Sequence, residues 1–135
     1  MKSKLTILIL ISLLFSCEKS GNLEVSEVIA GGCALNEGTP AKGIEINEDN
    51  KVTYSFVEGD LDIFVGFNAA CCAKYLTSSE VRGDSILIKI CNSEPGLCNC
   101  ICYYTYHFRF NGTGENYKYK VTVDDYLTFS GIIYP

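Results

Sequence analysis

Between Cys102 and Val123 the chain alternates with a period of two, and this pattern constrains its folding more than any other feature. Cys102, Tyr104, Tyr106, Phe108 and Phe110 fall on one side, and Tyr103, Thr105, His107 and Arg109 on the other. Tyr117, Tyr119, Val121 and Val123 then alternate with Lys118, Lys120, Thr122 and Asp124. Successive strand side chains point to opposite faces, so both segments read as β-strands with one face in a core. The linker at residues 111–116 (NGTGEN) offers Asn-Gly and Gly positions that accept the positive φ of a turn, so the two strands are expected to form a hairpin. Tyr104, Tyr106, Tyr117 and Tyr119 are expected to face the core.

Other segments repeat the signal. Ile86, Ile88 and Ile90 alternate with Leu87, Lys89 and Cys91, and residues 44–47 and 52–57 flank Glu48-Asp49-Asn50 as a second expected hairpin. Residues 61–67, 73–81 and 128–134 complete the set. With turn signals at the spacing typical of sandwiches, the expectation is an all-β fold, an antiparallel β-sandwich of Ig-like or Greek-key type with about seven strands. A small barrel has the same periodicity. The chain has 135 residues, 47% hydrophobic and 20% charged, which suits one globular domain.

Charge narrows the partners. Lys+Arg is 11 against Asp+Glu at 16, a net −5, so an acidic surface argues against nucleic acid and against a polybasic membrane patch.

The N-terminus carries Lys2 and Lys4, an apolar run at residues 5–15 (LTILILISLLF) and then Ser16-Cys17. The run is shorter than the roughly 20 residues that span a bilayer core, and it reads as a secretory h-region. Leu14-Phe15-Ser16-Cys17 resembles a lipobox, the bacterial lipoprotein signal. That resemblance implies lipidation of Cys17, whose thiol accepts a diacylglyceryl group before cleavage; acylation of the new N-terminus then makes the anchor stable. The expected organisation is a signal peptide at 1–16, acylated Cys and tether at 17–22, and a β-sandwich domain at 23–135. The implied location is the cell envelope, lipid-anchored at the outer membrane, on its periplasmic or surface face.

Setting Cys17 aside leaves Cys33, Cys71, Cys72, Cys91, Cys98, Cys100 and Cys102. Seven is odd, so an oxidising compartment allows up to three disulfides and one spare thiol. An extended 98–102 segment (CNCIC) aligns its three thiols on the Tyr104 face, whereas extended Cys71 and Cys72 point opposite ways. One of that pair is therefore expected to bridge to Cys98, Cys100 or Cys102 across the two sheets, with Cys91 within reach of Cys98 around the 92–97 loop. The competing reading is a thiolate metal site or redox centre built from Cys71/Cys72 and Cys98/Cys100/Cys102, for which Cu(I) or Zn(II) is suited. Against it, C-x-C-x-C on a strand spreads alternate thiols by about 6–7 Å, and no C-x-x-C is present.

The Cys71-Cys72 pair, the strand DSILIKI, a Pro-Gly turn, CNCICYY and the Tyr119-x-Val121-x-Val123 strand together resemble small Bacteroidota-type lipoproteins with a CC and C-x-C-x-C-Tyr pattern. The resemblance covers about residues 70–124. It implies a lipid-anchored β-sandwich and carries no biochemical function with it.

Catalytic signals are lacking. His107 is the one histidine, and no G-x-S-x-G accompanies it, so no catalytic residue, cofactor or metal ligand is assigned and no enzyme is expected. Glu58, Asp60 and Asp62 form a weak calcium set without EF-hand spacing. On the solvent side of the expected hairpin, Tyr103, His107, Arg109, Lys118 and Lys120 form a candidate ligand face for stacking on a sugar or holding an acidic group. The chain therefore reads as a non-catalytic module that binds an envelope protein or glycan.

Overall fold

A computed structural model describes residues 23–33, 49–94, 96–112 and 116–135. The expected signal peptide at 1–16, Cys17, the expected tether and the expected strand at 44–47 lie outside the described residues. Within them run eight strands: β1 (Glu24–Gly32), β2 (Lys51–Val57), β3 (Asp60–Ala70), β4 (Tyr75–Arg82), β5 (Ser85–Asn92), β6 (Ile101–Asn111), β7 (Tyr117–Val123) and β8 (Leu127–Ile133).

They form two four-stranded sheets, ordered β1-β6-β3-β2 and β4-β5-β7-β8. The period-two pattern accounts for what lies between them. Leu61, Ile63, Val65 and Phe67 of β3 and Tyr104, Tyr106, Phe108 and Phe110 of β6 share one buried cluster with Ile86, Ile88, Ile90, Val121, Val123 and Ile133 of the second sheet. Each such side chain taken from water contributes about 1.5–3 kcal/mol, which makes this shared face the main support of the sandwich. Tyr117 is buried and Tyr119 packs half-buried against the cluster, as the alternation requires.

Two pairings differ from expectation. β6 and β7 do not form a hairpin: β6 pairs with β1 and β3, whereas β7 pairs with β5 and β8. β6 ends at Asn111 in one sheet and β7 begins at Tyr117 in the other, across a sheet separation of about 10 Å. Because β6 leaves for the opposite sheet and the chain then returns, β7 runs parallel to β5, with Ser85 opposite Lys118 and Ile90 opposite Val123. The other five pairings are antiparallel. β1 was not foreseen, since a register shift between Val25 and Glu27 interrupts its alternation.

The registers define two poles. Glu24 lies opposite Asn111 at one, and Gly32 lies opposite Tyr104 near the other, where β3 ends at Ala70 and β4 begins at Tyr75. The chain enters the sandwich at the first pole, and all three disulfides described below sit at the second.

Candidate functional site

The disulfide pole is built from three bridges: Cys33–Cys102, Cys71–Cys100 and Cys72–Cys98, with Cα separations of 6.0, 5.6 and 6.2 Å. These separations suit disulfides. Cys102 is buried on the inner face of β6 and ties it to the end of β1. Residues 71–72 form a turn rather than a strand, so both neighbouring cysteines reach the 98–100 segment, and the limit set by an extended chain does not apply. Both bridges link the end of β3 to the approach to β6, two neighbours in one sheet, and do not cross between sheets. Cys91 is free and exposed, and Cys98 is taken by Cys72, so the expected Cys91–Cys98 closure is not made. The backbone N–H of Cys72 also donates to Cys98 Sγ at 3.2 Å, and that of Cys71 to the Cys100 carbonyl at 3.2 Å.

Behind the bridges stands an aromatic group. Phe67 stacks on Tyr104 and Tyr106, with centroids 5.7 and 6.1 Å away, while Tyr75 of the opposite sheet meets Phe67 and Tyr104 edge-on at 5.1 Å. The Tyr104 hydroxyl lies 3.0 Å from the carbonyls of both Ala70 and Ala73 and donates between them, holding the turn onto the core. Burial pushes the Tyr106 phenol up to about 12, with the nearby Tyr104 phenol adding to it. Burial also raises Tyr75, followed by the charges of Tyr126 and Asp124.

Between these rings and the two edge strands β1 and β4 opens a cleft of about 630 Å3. Val28 and Ala30 line one wall, Tyr75 and Thr77 the other, and Tyr104 and Tyr106 the floor. Val28 faces into the sandwich and is nonetheless 41% exposed. A volume of this size with a lining of mixed polar and apolar character fits ligand binding. Lys74, at the rim, is paired with Glu94 at 3.2 Å.

The candidate ligand face is divided by the topology. Tyr103, His107 and Arg109 stand on β6 in the first sheet, and Lys118 and Lys120 on β7 in the second, so they look outward from opposite sides of the sandwich. Tyr103 is only 5% exposed, although strand parity turns it outward. Its ring lies over Gly66 of β3, and its hydroxyl reaches the Asp49 carbonyl at 3.3 Å. His107 and Arg109 are instead joined by Asp62: His107 Nδ1 is 3.0 Å from Asp62 Oδ1, and Arg109 lies 3.8 Å from Oδ2. Glu27 holds the other side of Arg109 at 3.3 Å, and Phe64 meets the imidazole edge-on at 5.1 Å. Lys118 pairs with Asp84 at 3.0 Å, an exposed contact that holds the Asp84 carboxyl below its ordinary range.

Sequence reasoning placed Asp62 with Glu58 and Asp60. Among the described residues those three do not converge; the one group of potential metal ligands that does is Cys71, Cys98 and Cys100, whose sulfurs lie within 4.8 Å of one another. The Asp62 partnership with His107 joins residues 45 apart and had no signal in the sequence, and neither had the cleft, which depends on which strands become edges. Compared with protein-family models, curated proteins and solved structures, the chain matches none.

Proposed function

We propose that this chain is a lipid-anchored protein of the bacterial cell envelope, held at the outer membrane through Cys17, and that its disulfide-stapled β-sandwich is a non-catalytic module that binds an envelope protein or glycan in the cleft between β1 and β4. The observation that carries the reading is the closure of six cysteines into three bridges at one pole. Such bridges persist in exported proteins and are rare where thiols are kept reduced. The lipobox-like Leu14-Phe15-Ser16-Cys17 supplies the address, and the cleft between β1 and β4 supplies the site.

Two variants of the full chain test it. Cys17→Ser is expected to move the protein from the detergent phase to the aqueous phase, and retention in the detergent phase overturns the anchor. Val28→Arg, at an already exposed position in the cleft and introduced into the anchor-free Cys17→Ser chain, is expected to abolish that chain's co-sedimentation with purified envelope fractions; unchanged sedimentation removes the cleft from the reading.

The second reading, a thiolate metal or redox centre, is favoured by the proximity of the Cys71, Cys98 and Cys100 sulfurs. These are disulfide sulfurs in the structure, so the reading requires their reduction. Intact-mass thiol counting with metal analysis separates the two: one free thiol outside Cys17 and no metal supports the staple, and four or more with stoichiometric copper or zinc supports the metal centre.

A further inference from the structure

We infer that the cleft receives an extended, uncharged peptide segment, which adds as a strand to the open edge of β4. The inference rests on the reading of the cleft as the binding site and names the chemistry of its occupant.

The edge carries the argument. Among the described residues β4 ends its sheet, with β5 as its one neighbour. The Ser93 N–H donates to the Lys74 carbonyl at 2.7 Å, and the register continues from that pair through Leu76 opposite Cys91, Ser78 opposite Lys89 and Glu80 opposite Leu87. In an antiparallel ladder, hydrogen-bonded pairs alternate. The backbone groups of Leu76, Ser78 and Glu80 therefore face β5, and those of Tyr75, Thr77, Ser79 and Val81 face the open edge. A row of N–H and C=O groups at the strand repeat is matched by another extended backbone. A sugar or lipid headgroup presents no such row.

The side chains agree with the backbone. Tyr75 and Thr77 line the cleft from β4, and Val28 and Ala30 line it from β1. A strand added beside β4 places alternate side chains over the 41% exposed Val28, covering an inward-facing residue that the two sheets leave open. Charge complementarity selects a neutral segment. Lys74, the formal charge on the cleft lining, is already matched by Glu94, and Glu80 and Arg82 along β4 neutralise each other at 2.7 Å. An acidic or basic segment would bring a charge with no partner there.

The test uses the full-length chain in detergent and a dye-labelled heptapeptide of alternating valine and threonine, capped at both ends. Fluorescence anisotropy is expected to show saturable binding that falls at least tenfold when alternate peptide amides are N-methylated. Thr77→Pro is expected to weaken binding equally, because the N–H it removes faces the open edge and not the β5 ladder. Hydrogen exchange should slow at Thr77 and Ser79 on binding, while Ser78 and Glu80 stay as protected as before. If Thr77→Pro fails to fold, the N-methylated peptide on the unaltered chain decides alone. Equal binding by the N-methylated peptide overturns strand addition, as does no peptide binding at all, or β4-mediated dimerisation without it. Should the peptide fail while Val28→Arg still abolishes envelope co-sedimentation of the Cys17→Ser chain, the binding-module reading stands and strand addition alone falls; loss of both effects removes both.

Discussion

His107 Nδ1 lies 3.0 Å from Asp62 Oδ1, across the β3–β6 boundary on the outer face of the first sheet. Asp62 sits directly opposite Arg109 in register and reaches His107 on the diagonal. The Asp62 side chain is 11% exposed, so it has given up most of its water for these two partners. Arg109 in turn has its Nε buried without a hydrogen-bond partner, leaving its other guanidinium nitrogens to carry the pairing. Asp62→Asn removes the acceptor charge while keeping the shape. We expect it to destabilise the fold by about 1–3 kcal/mol, the cost of leaving a shielded polar group unmatched. Glu27→Gln breaks a half-exposed pair and should cost under about 1 kcal/mol. Urea unfolding of the two variants measures the difference, and equal effects would show that Asp62 is merely another surface acid.

The three bridges should differ in what they contribute. Cys71–Cys100 and Cys72–Cys98 close nearly the same stretch, with sequence separations of 29 and 26. With the first in place, the second constrains only a short ring, and the loop-entropy relation gives about 2 kcal/mol for it. Cys33–Cys102 spans 69 residues and ties an edge strand to a central one; even with Cys71–Cys100 shortening its path it is expected to contribute about 4 kcal/mol. Paired Cys→Ser variants followed by chemical denaturation should rank Cys33/Cys102 as the larger loss. The reverse order would mean that strain or residual denatured-state structure outweighs loop length.

Much of this architecture was legible, and its gaps have physical causes. Alternation says which side of a strand is buried, so the inward Ile86, Ile88, Ile90, Tyr104, Phe108 and Val121 were readable from period two. It does not say which amphipathic strand pairs with which. β6 and β7 each have a buried inner face, and that holds equally for a hairpin and for strands in opposing sheets. The cysteine count allowed up to three bridges and one spare thiol, but the partners depended on residues 71–72 being a turn, which no periodicity reports. Asp62 looked like a solvated turn acid beside Asp60 because its partners arrive from β6, 45 or more residues away. The cleft is a property of unpaired edges and therefore appears only once strand order is known.

Two tyrosines lie over glycines, and their fit is sharp enough to test. Tyr103 covers Gly66, and Tyr119 covers Gly131, where an added Cβ would stand 2.7 Å from the Tyr119 Cε1 atom. Glycine is weak in a strand interior unless something approaches closely, and here the ring is what approaches. Gly131→Ala and Gly66→Ala are expected to lower stability by about 1–3 kcal/mol through overpacking, despite alanine's better strand entropy. Gly83→Ala, where nothing lies within 4 Å, isolates the backbone cost of its φ of 57°. Melting temperatures of the three variants distinguish ring displacement from backbone strain. If Tyr103→Leu rescues Gly66→Ala, the ring contact is the cause.

Alkaline pH should open the fold at the disulfide pole. Tyr75, Tyr104 and Tyr106 all have raised phenol pKa values, with burial as the largest cause in each. For an acid whose folded pKa exceeds its unfolded value, the unfolded state releases its proton first as pH rises. The unfolded state then binds fewer protons than the native state, and stability falls with increasing pH. The window runs from the unfolded tyrosine value near 10 upward, reaching about 12 for Tyr106. Below it, these tyrosines contribute their full share. The three buried phenols should ionise only together with loss of the β-sheet circular dichroism signal. A Cys91→Ser background keeps the free thiolate from shuffling the bridges during the titration. Ionisation of Tyr75, Tyr104 and Tyr106 before any change in circular dichroism would show that the aromatic floor of the cleft is open to water.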